Sequence, residues 1–158
     1  MPENNKHSEI REKCTNIIRS LGYTIDSSHD EKGNVRMYRE YHGEKIALAD
    51  VDIVGIKKGA IQMIVVIEGD NTVKTVLGDV AVMDMANLCL ARTTGTERKM
   101  VPLNGVVLFI VTPATKERAT MEMLRDSYNF MSGSLRDFII TTEDEFEDAL
   151  KEIEVYKM

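Results

Sequence analysis

Asp50 and Asp52 in the stretch IALADVDIVGI, and Glu68 and Asp70 in AIQMIVVIEGD, put carboxylates into two otherwise apolar, β-branched runs. Side chains alternate faces along a strand, so Leu48, Asp50, Asp52, Val54 and Ile56 share one side of the first run. Glu68 and Asp70 likewise share one side of the second. Carboxylates beside Val and Ile are costly unless their charge is compensated, and a divalent cation compensates several at once. The spacing therefore points to a metal-dependent site on two adjacent strands. The competing reading leaves Asp50 and Asp70 at strand ends in water and pairs Asp52 and Glu68 with backbone or basic side chains.

The elements that must position these acids can be read from hydrophobic period and turn chemistry. Ile10, Cys14, Ile17, Ile18 and Leu21 follow helical spacing and predict a helix from Ser8 to Leu21, stopped by Gly22. The polar stretch TIDSSHDEKGN reads as turns, Val35 to Tyr41 as a short strand, and His42-Gly43-Glu44 as a turn into a strand from Ile46 to Ile56. Lys57-Lys58-Gly59 predicts a hairpin turn into a strand from Ala60 to Ile67, so the acidic clusters sit on paired strands. Asn71 or Thr72 can cap a helix from Val73 to Ala91, followed by a loop, RTTGTERKMVPLNG, and an apolar strand from Val106 to Val111. Thr115 caps a helix carrying Met121, Leu124, Tyr128 and Met131, which Ser132-Gly133-Ser134 ends. Phe138 to Ile140 makes a short strand, and Thr142 with Glu145 forms a capping box for a last helix bearing Phe146, Ala149, Leu150 and Ile153. The predicted order is αβββαβαβα, a mixed α/β sheet with a meander, a parallel crossover and helices on both faces.

Composition bounds the rest. With 158 residues and 43% hydrophobic content, residues 1–158 make a single domain with a sizeable core. No signal-peptide segment and no membrane-length apolar run is present, so the expectation is a cytoplasmic protein with no membrane partner. Cys14 and Cys89 lack a CxxC pattern or neighbouring His and read as reduced core thiols. His7, His29 and His42 lie in polar segments at irregular spacing and form no ligand set. The net charge of −6 is concentrated: residues 143–158 hold seven acids and two lysines, leaving 18 basic and 19 acidic groups elsewhere. A local basic face is therefore compatible with the composition.

Asp52-Ile-Val-Gly-Ile-Lys-Lys-Gly59 followed by Ile-Val-Val-Ile-Glu68, within this element order, resembles the metal-binding hairpin of the PD-(D/E)XK nuclease superfamily. Restriction endonucleases and archaeal Holliday-junction resolvases belong to that superfamily, and the resemblance covers residues 8 to about 111. It implies a restriction endonuclease-like core and a Mg-dependent (or Mn-dependent) DNA endonuclease hydrolysing phosphodiester bonds. Asp52 and Glu68 would bind the metal, with Asp70 assisting. Glu9, nearer the apolar stripe than Glu12, is the candidate acid from the first helix. Lys57, Lys58, Arg92, Arg98 and Lys99 are candidate phosphate contacts, and a homodimer is implied because such nucleases commonly pair. The family pattern E-x-K is here Glu68-Gly69-Asp70. Three readings of that departure stand: Lys74 replaces the lysine, Asp70 adds a metal ligand, or catalysis is lost. The last makes the chain a non-catalytic binding or assembly module on the same fold.

Overall fold

The computed structural model describes residues 5–28, 33–114, 117–131 and 133–157. Helix α1 (Asn5–Ser20) turns its apolar stripe inward, burying Ile10, Cys14 and Ile18, and is followed by Gly22 at φ 92°, a left-handed position that suits glycine. Five strands follow: β1 (Thr24–Ser27), β2 (Val35–Tyr41), β3 (Glu44–Val51), β4 (Ile53–Lys57) and β5 (Ala60–Ile67). The β2/β3 turn has His42 and Gly43 at φ 51° and 81°, and the β4/β5 turn has Lys58 and Gly59 at φ 55° and 75°. Paired positive φ values are what two-residue primed turns require, and they join antiparallel strands without splaying them. Then come α2 (Val73–Met85), β6 (Leu88–Ala91), β7 (Lys99–Pro102), β8 (Val106–Val111), α3 (Arg118–Ser127), β9 (Leu135–Thr141) and α4 (Phe146–Lys157).

The strands form two sheets. A mixed five-stranded sheet runs β1-β4-β5-β8-β9, antiparallel from β1 to β5 and parallel from β5 through β8 to β9. A four-stranded antiparallel sheet runs β3-β2-β6-β7. Every residue of β8 is buried, as expected of a parallel strand covered on both faces. One apolar layer packs α1 and α4 on the larger sheet, with Phe109 and Phe146 edge to face at 5.3 Å. The other packs α2 and α3, together with Val35, Met37, Cys89 and Ala91 of the second sheet, against the opposite face. Each fully buried side chain of this kind contributes about 1.5–3 kcal/mol through apolar burial.

Several sequence expectations are corrected. The strand expected from Ile46 to Ile56 breaks at Asp52, and its halves belong to different sheets: Val51 pairs with Val35, while Ile53 pairs with Val65 and Ser27. The Asp52 N–H donates to the Val65 carbonyl and its own carbonyl accepts from Ser28 N, so this residue is the crossing point. A strand-long alternation of faces therefore does not hold across it, and Asp50 belongs to the second sheet. The helix expected to Ala91 stops at Met85, because Leu88, Cys89 and Leu90 pair with Tyr38, Met37 and Arg36. Tertiary pairing overrides helical propensity there. The polar segment read as turns contains β1, and the loop before Val106 contains β7. Helix α3 ends at Ser127, before Tyr128 and Met131, and Phe138–Ile140 extends to the full β9. The order is thus αβββββαβββαβα rather than αβββαβαβα. The Thr115 cap lies outside the described residues. The Thr142 cap is present, its hydroxyl accepting from Glu145 N at 3.3 Å.

Candidate functional site

The acids converge where β4 begins, β5 ends and α2 starts. Asp52 takes its position from the sheet crossing, and its carboxylate then ties the neighbouring strand: Oδ2 accepts from the Ile67 N–H at 2.7 Å. Oδ1 lies 3.2 Å from His7 Nε2 on α1. Glu68 follows β5 directly, its N–H donating to the Val111 carbonyl at 2.8 Å, which puts it at the C-terminal edge of the parallel strands β5 and β8. Ligand sites in open α/β sheets commonly lie beyond those edges.

Asp70 has a different task. Its Oδ1 accepts from Thr72 N at 2.9 Å, and Oδ2 accepts from the hydroxyls of Thr72 at 3.3 Å and Thr75 at 3.2 Å. Thr72 in turn caps α2, accepting from Thr75 N at 3.4 Å. Asp70 therefore secures the start of the helix and supplies the negative charge that a helix N-terminus favours.

The electrostatics single out two side chains. Burial, reinforced by the charges of Asp79, Asp52 and Asp70 and opposed by His7, pushes the half-buried Glu68 up to about 7. Burial, with the charge of Asp52 adding, pushes Asp79 of α2 up to about 6. Asp79 Oδ2 is buried and has no hydrogen-bond partner among the described residues. Like charges held close in a poorly solvated place favour the neutral forms, and perturbed carboxyls of this kind cluster at functional sites.

The other candidates take varied positions. Lys74 is exposed in the first turn of α2, and Glu9 is exposed on α1, where its charge acts on Lys6. Asp50 bonds Arg36 Nε at 2.7 Å and Asn34 Nδ2 at 2.8 Å. Arg92 and Arg98 both close on Asp26, which is 1% exposed. Lys57 Nζ sits 4.2 Å above the Tyr23 ring centroid, a cation–π contact. Lys58 and Lys99 are exposed, at a hairpin tip and on β7.

Two site residues escaped the sequence reading. His7 stands three residues before Ile10 and seven before Cys14, so it continues the apolar stripe of α1 towards the sheet. That register was the available signal, masked by the polar residues around it. Asp79 was legible as an acid inside the apolar run VLGDVAVM, seven residues after Thr72 and four after Thr75, on the face of α2 that carries the cap.

Among the described residues, no three His, Cys, Asp or Glu side chains are grouped closely enough to hold a metal ion. The acids offer the carboxylate oxygens that a hard divalent cation prefers, and among the described residues the Asp79 Oδ2 is buried without a hydrogen-bond partner. No family model, curated protein or solved structure matches the chain. Fold and site define an α/β protein with a carboxylate-rich sheet edge. Among the described residues, no helix is long and apolar enough to cross a membrane.

Proposed function

We propose that this chain is a divalent-cation-dependent DNA endonuclease with a restriction endonuclease-like core, hydrolysing phosphodiester bonds at the sheet edge around Asp52 and Glu68. The observation that carries the reading is the meeting of these two acids across β4 and β5, with burial and neighbouring carboxylates pushing Glu68 up to about 7. The mixed sheet supports it too, since antiparallel β1, β4 and β5 continue into the parallel pair β5 and β8; the sequential meander expected from the sequence is absent, because β2 and β3 pair in the second sheet.

Asp52 and Glu68 would hold Mg²⁺ or Mn²⁺, which when bound activates water and neutralises charge developing on the phosphate. The rest of the work falls to the chain. The backbone bond from Ile67 fixes the Asp52 carboxylate, and His7 beside it supplies an imidazole able to accept or return a proton. Exposed Lys74, Lys58 and Lys99 would draw the DNA backbone without reading sequence. Arg92 and Arg98 remain with Asp26.

A second reading, a non-catalytic binding or assembly module, is favoured by one observation: the position of the family's lysine holds Asp70, and that side chain is spent on capping α2. Branched, single-stranded and duplex DNA incubated with the protein in Mg²⁺ or Mn²⁺ separates the two. Cleavage that disappears in Asp52→Ala and Glu68→Ala supports the enzyme. Cleavage surviving Glu68→Ala removes the site assignment, and binding of DNA without cleavage supports the module.

A further inference from the structure

We infer that the outer edge of β9 takes an extended, basic segment of a partner protein as an added strand. This surface lies apart from Asp52 and Glu68 and stands without the nuclease reading. In the five-stranded sheet β9 is a terminal strand, paired with β8 on one side. The Thr141 carbonyl accepts from Thr112 N at 2.8 Å and so turns towards the β8 side. Successive residues of a strand direct their backbone groups to opposite sides, which leaves Phe138 and Ile140 facing outward. The Phe138 N–H agrees: it donates at 2.8 Å to Oδ1 of its neighbour Asp137, whose Oδ2 is held by Arg125 at 2.6 Å. That carboxylate is a local plug, which a carbonyl of an incoming strand can replace. Sheet edges with outward backbone groups are templates for strand addition.

The space beside the edge is a receiving groove. A cavity of about 440 Å³ is lined by Met121 and Arg125 of α3, Ile139 of β9, and Ala149 and Ile153 of α4. Helices α3 and α4 pack on opposite faces of the sheet, so a cavity touching both lies beyond the rim of β9. Its charges select the occupant. Both arginines of α3 are engaged on their own side, Arg118 with Glu122 at 2.9 Å and Arg125 with Asp137. The α4 rim is acidic, with Glu145 and Glu152 both exposed. A lysine of the added strand can lay its apolar stem on Ala149 and Ile153 and bring its ammonium to these acids. Alternate residues of that strand fall on the α3 side, where Met121 favours an apolar side chain. A second copy of the chain fits less well. Antiparallel pairing of β9 with its own copy would set α4 beside α4 and oppose like charges at Glu145 and Glu152.

The experiment is a fluorescence-anisotropy titration of the full chain into a labelled peptide of the length of β9, alternating valine and lysine, with amide hydrogen exchange recorded on the complex. Saturable binding is expected, with slowed exchange at Ile140 and its neighbours in β9. The double variant Glu145→Lys, Glu152→Lys, changed at two exposed positions, is expected to keep the wild-type melting temperature and to bind about 10-fold more weakly. A peptide with glutamate in place of lysine is expected not to bind. No binding of the lysine peptide, equal binding of the glutamate peptide, or binding without protection of β9 overturns the proposal. Self-association of the chain that itself protects β9 puts a second copy on the edge and overturns the proposed occupant.

Discussion

Asp26 on β1 and Glu68 after β5 are both carboxylates placed against the same five-stranded sheet, and they are treated in opposite ways. Asp26 is almost wholly enclosed, yet it receives the Arg92 N–H at 2.9 Å and the Arg98 Nε and Nη2 groups at 3.0 Å each, with the Arg92 guanidinium alongside. Burial acts to raise its pKa, but the Arg98 and Arg92 bonds outweigh it and hold the carboxyl below its ordinary 3.8. Glu68 is less enclosed, yet burial and then the charges of Asp79, Asp52 and Asp70 raise its pKa, with His7 opposing them. The first centre is complete without a ligand and knits β1 to the segment before β7. The second gathers like charges that disfavour the ionised form of Glu68.

The largest effect should come from breaking the complete centre. Arg98, whose side chain is 7% exposed, gives Asp26 two charge-assisted hydrogen bonds, so Arg98→Met, which leaves Arg92 as counter-ion, should destabilise by about 1.5–3 kcal/mol in urea unfolding. A loss below about 1 kcal/mol would mean that the ion pair behaves as an exposed one and the contrast is false.

The incomplete centre should respond with the opposite sign. Because the Glu68 pKa is raised from 4.5 to about 7 on folding, the native state holds its proton more tightly, and this contribution to stability is full below pH 4.5 and lost as pH rises through about 7. Glu68→Gln should therefore be more stable than wild type by about 1 kcal/mol above pH 7, with the gain shrinking towards pH 4.5. Asp26 runs the other way: its lowered pKa gives stability present above pH 3.8 and lost as acid titrates the folded carboxyl. Melting temperatures across pH for wild type, Glu68→Gln and Asp26→Asn resolve the two windows, and a Glu68→Gln gain independent of pH would contradict the account.

Smaller effects sharpen the boundary. Asp70→Asn should cost about 0.5–1 kcal/mol through a weakened helix start, a local loss that hydrogen exchange would place in the first turn of α2. Lys57→Leu removes the charge over Tyr23 and should cost about 0.5 kcal/mol in the same unfolding assay.

How much of this was legible depended on whether the signal was local. The α1 stripe, the two hairpin turns and the apolar runs of β5 and β8 announce themselves, because period and turn chemistry act within a few residues. The break at Asp52 does not, since a strand passing from one sheet to another keeps its apolar character on both sides. Leu88–Ala91 reads as helix because its strand state is decided by distant Arg36, Met37 and Tyr38. In the site, Asp52 and Glu68 were visible as acids in strands. Arg92 and Arg98 looked like phosphate contacts because their partner lies about seventy positions away in sequence, at Asp26. His7 and Asp79 needed the packing of two helices against one sheet edge before they became neighbours of Asp52 and Glu68.

The proposed cation site at the Glu68 edge gathers the charges of Asp52, Asp70 and Asp79. Its most direct test is a calorimetric titration of Mn²⁺ into wild type and Glu68→Gln above pH 7, where Glu68 is ionised. Saturable binding to wild type and none to the variant is expected; no binding to wild type, or equal binding to both, contradicts the proposed site.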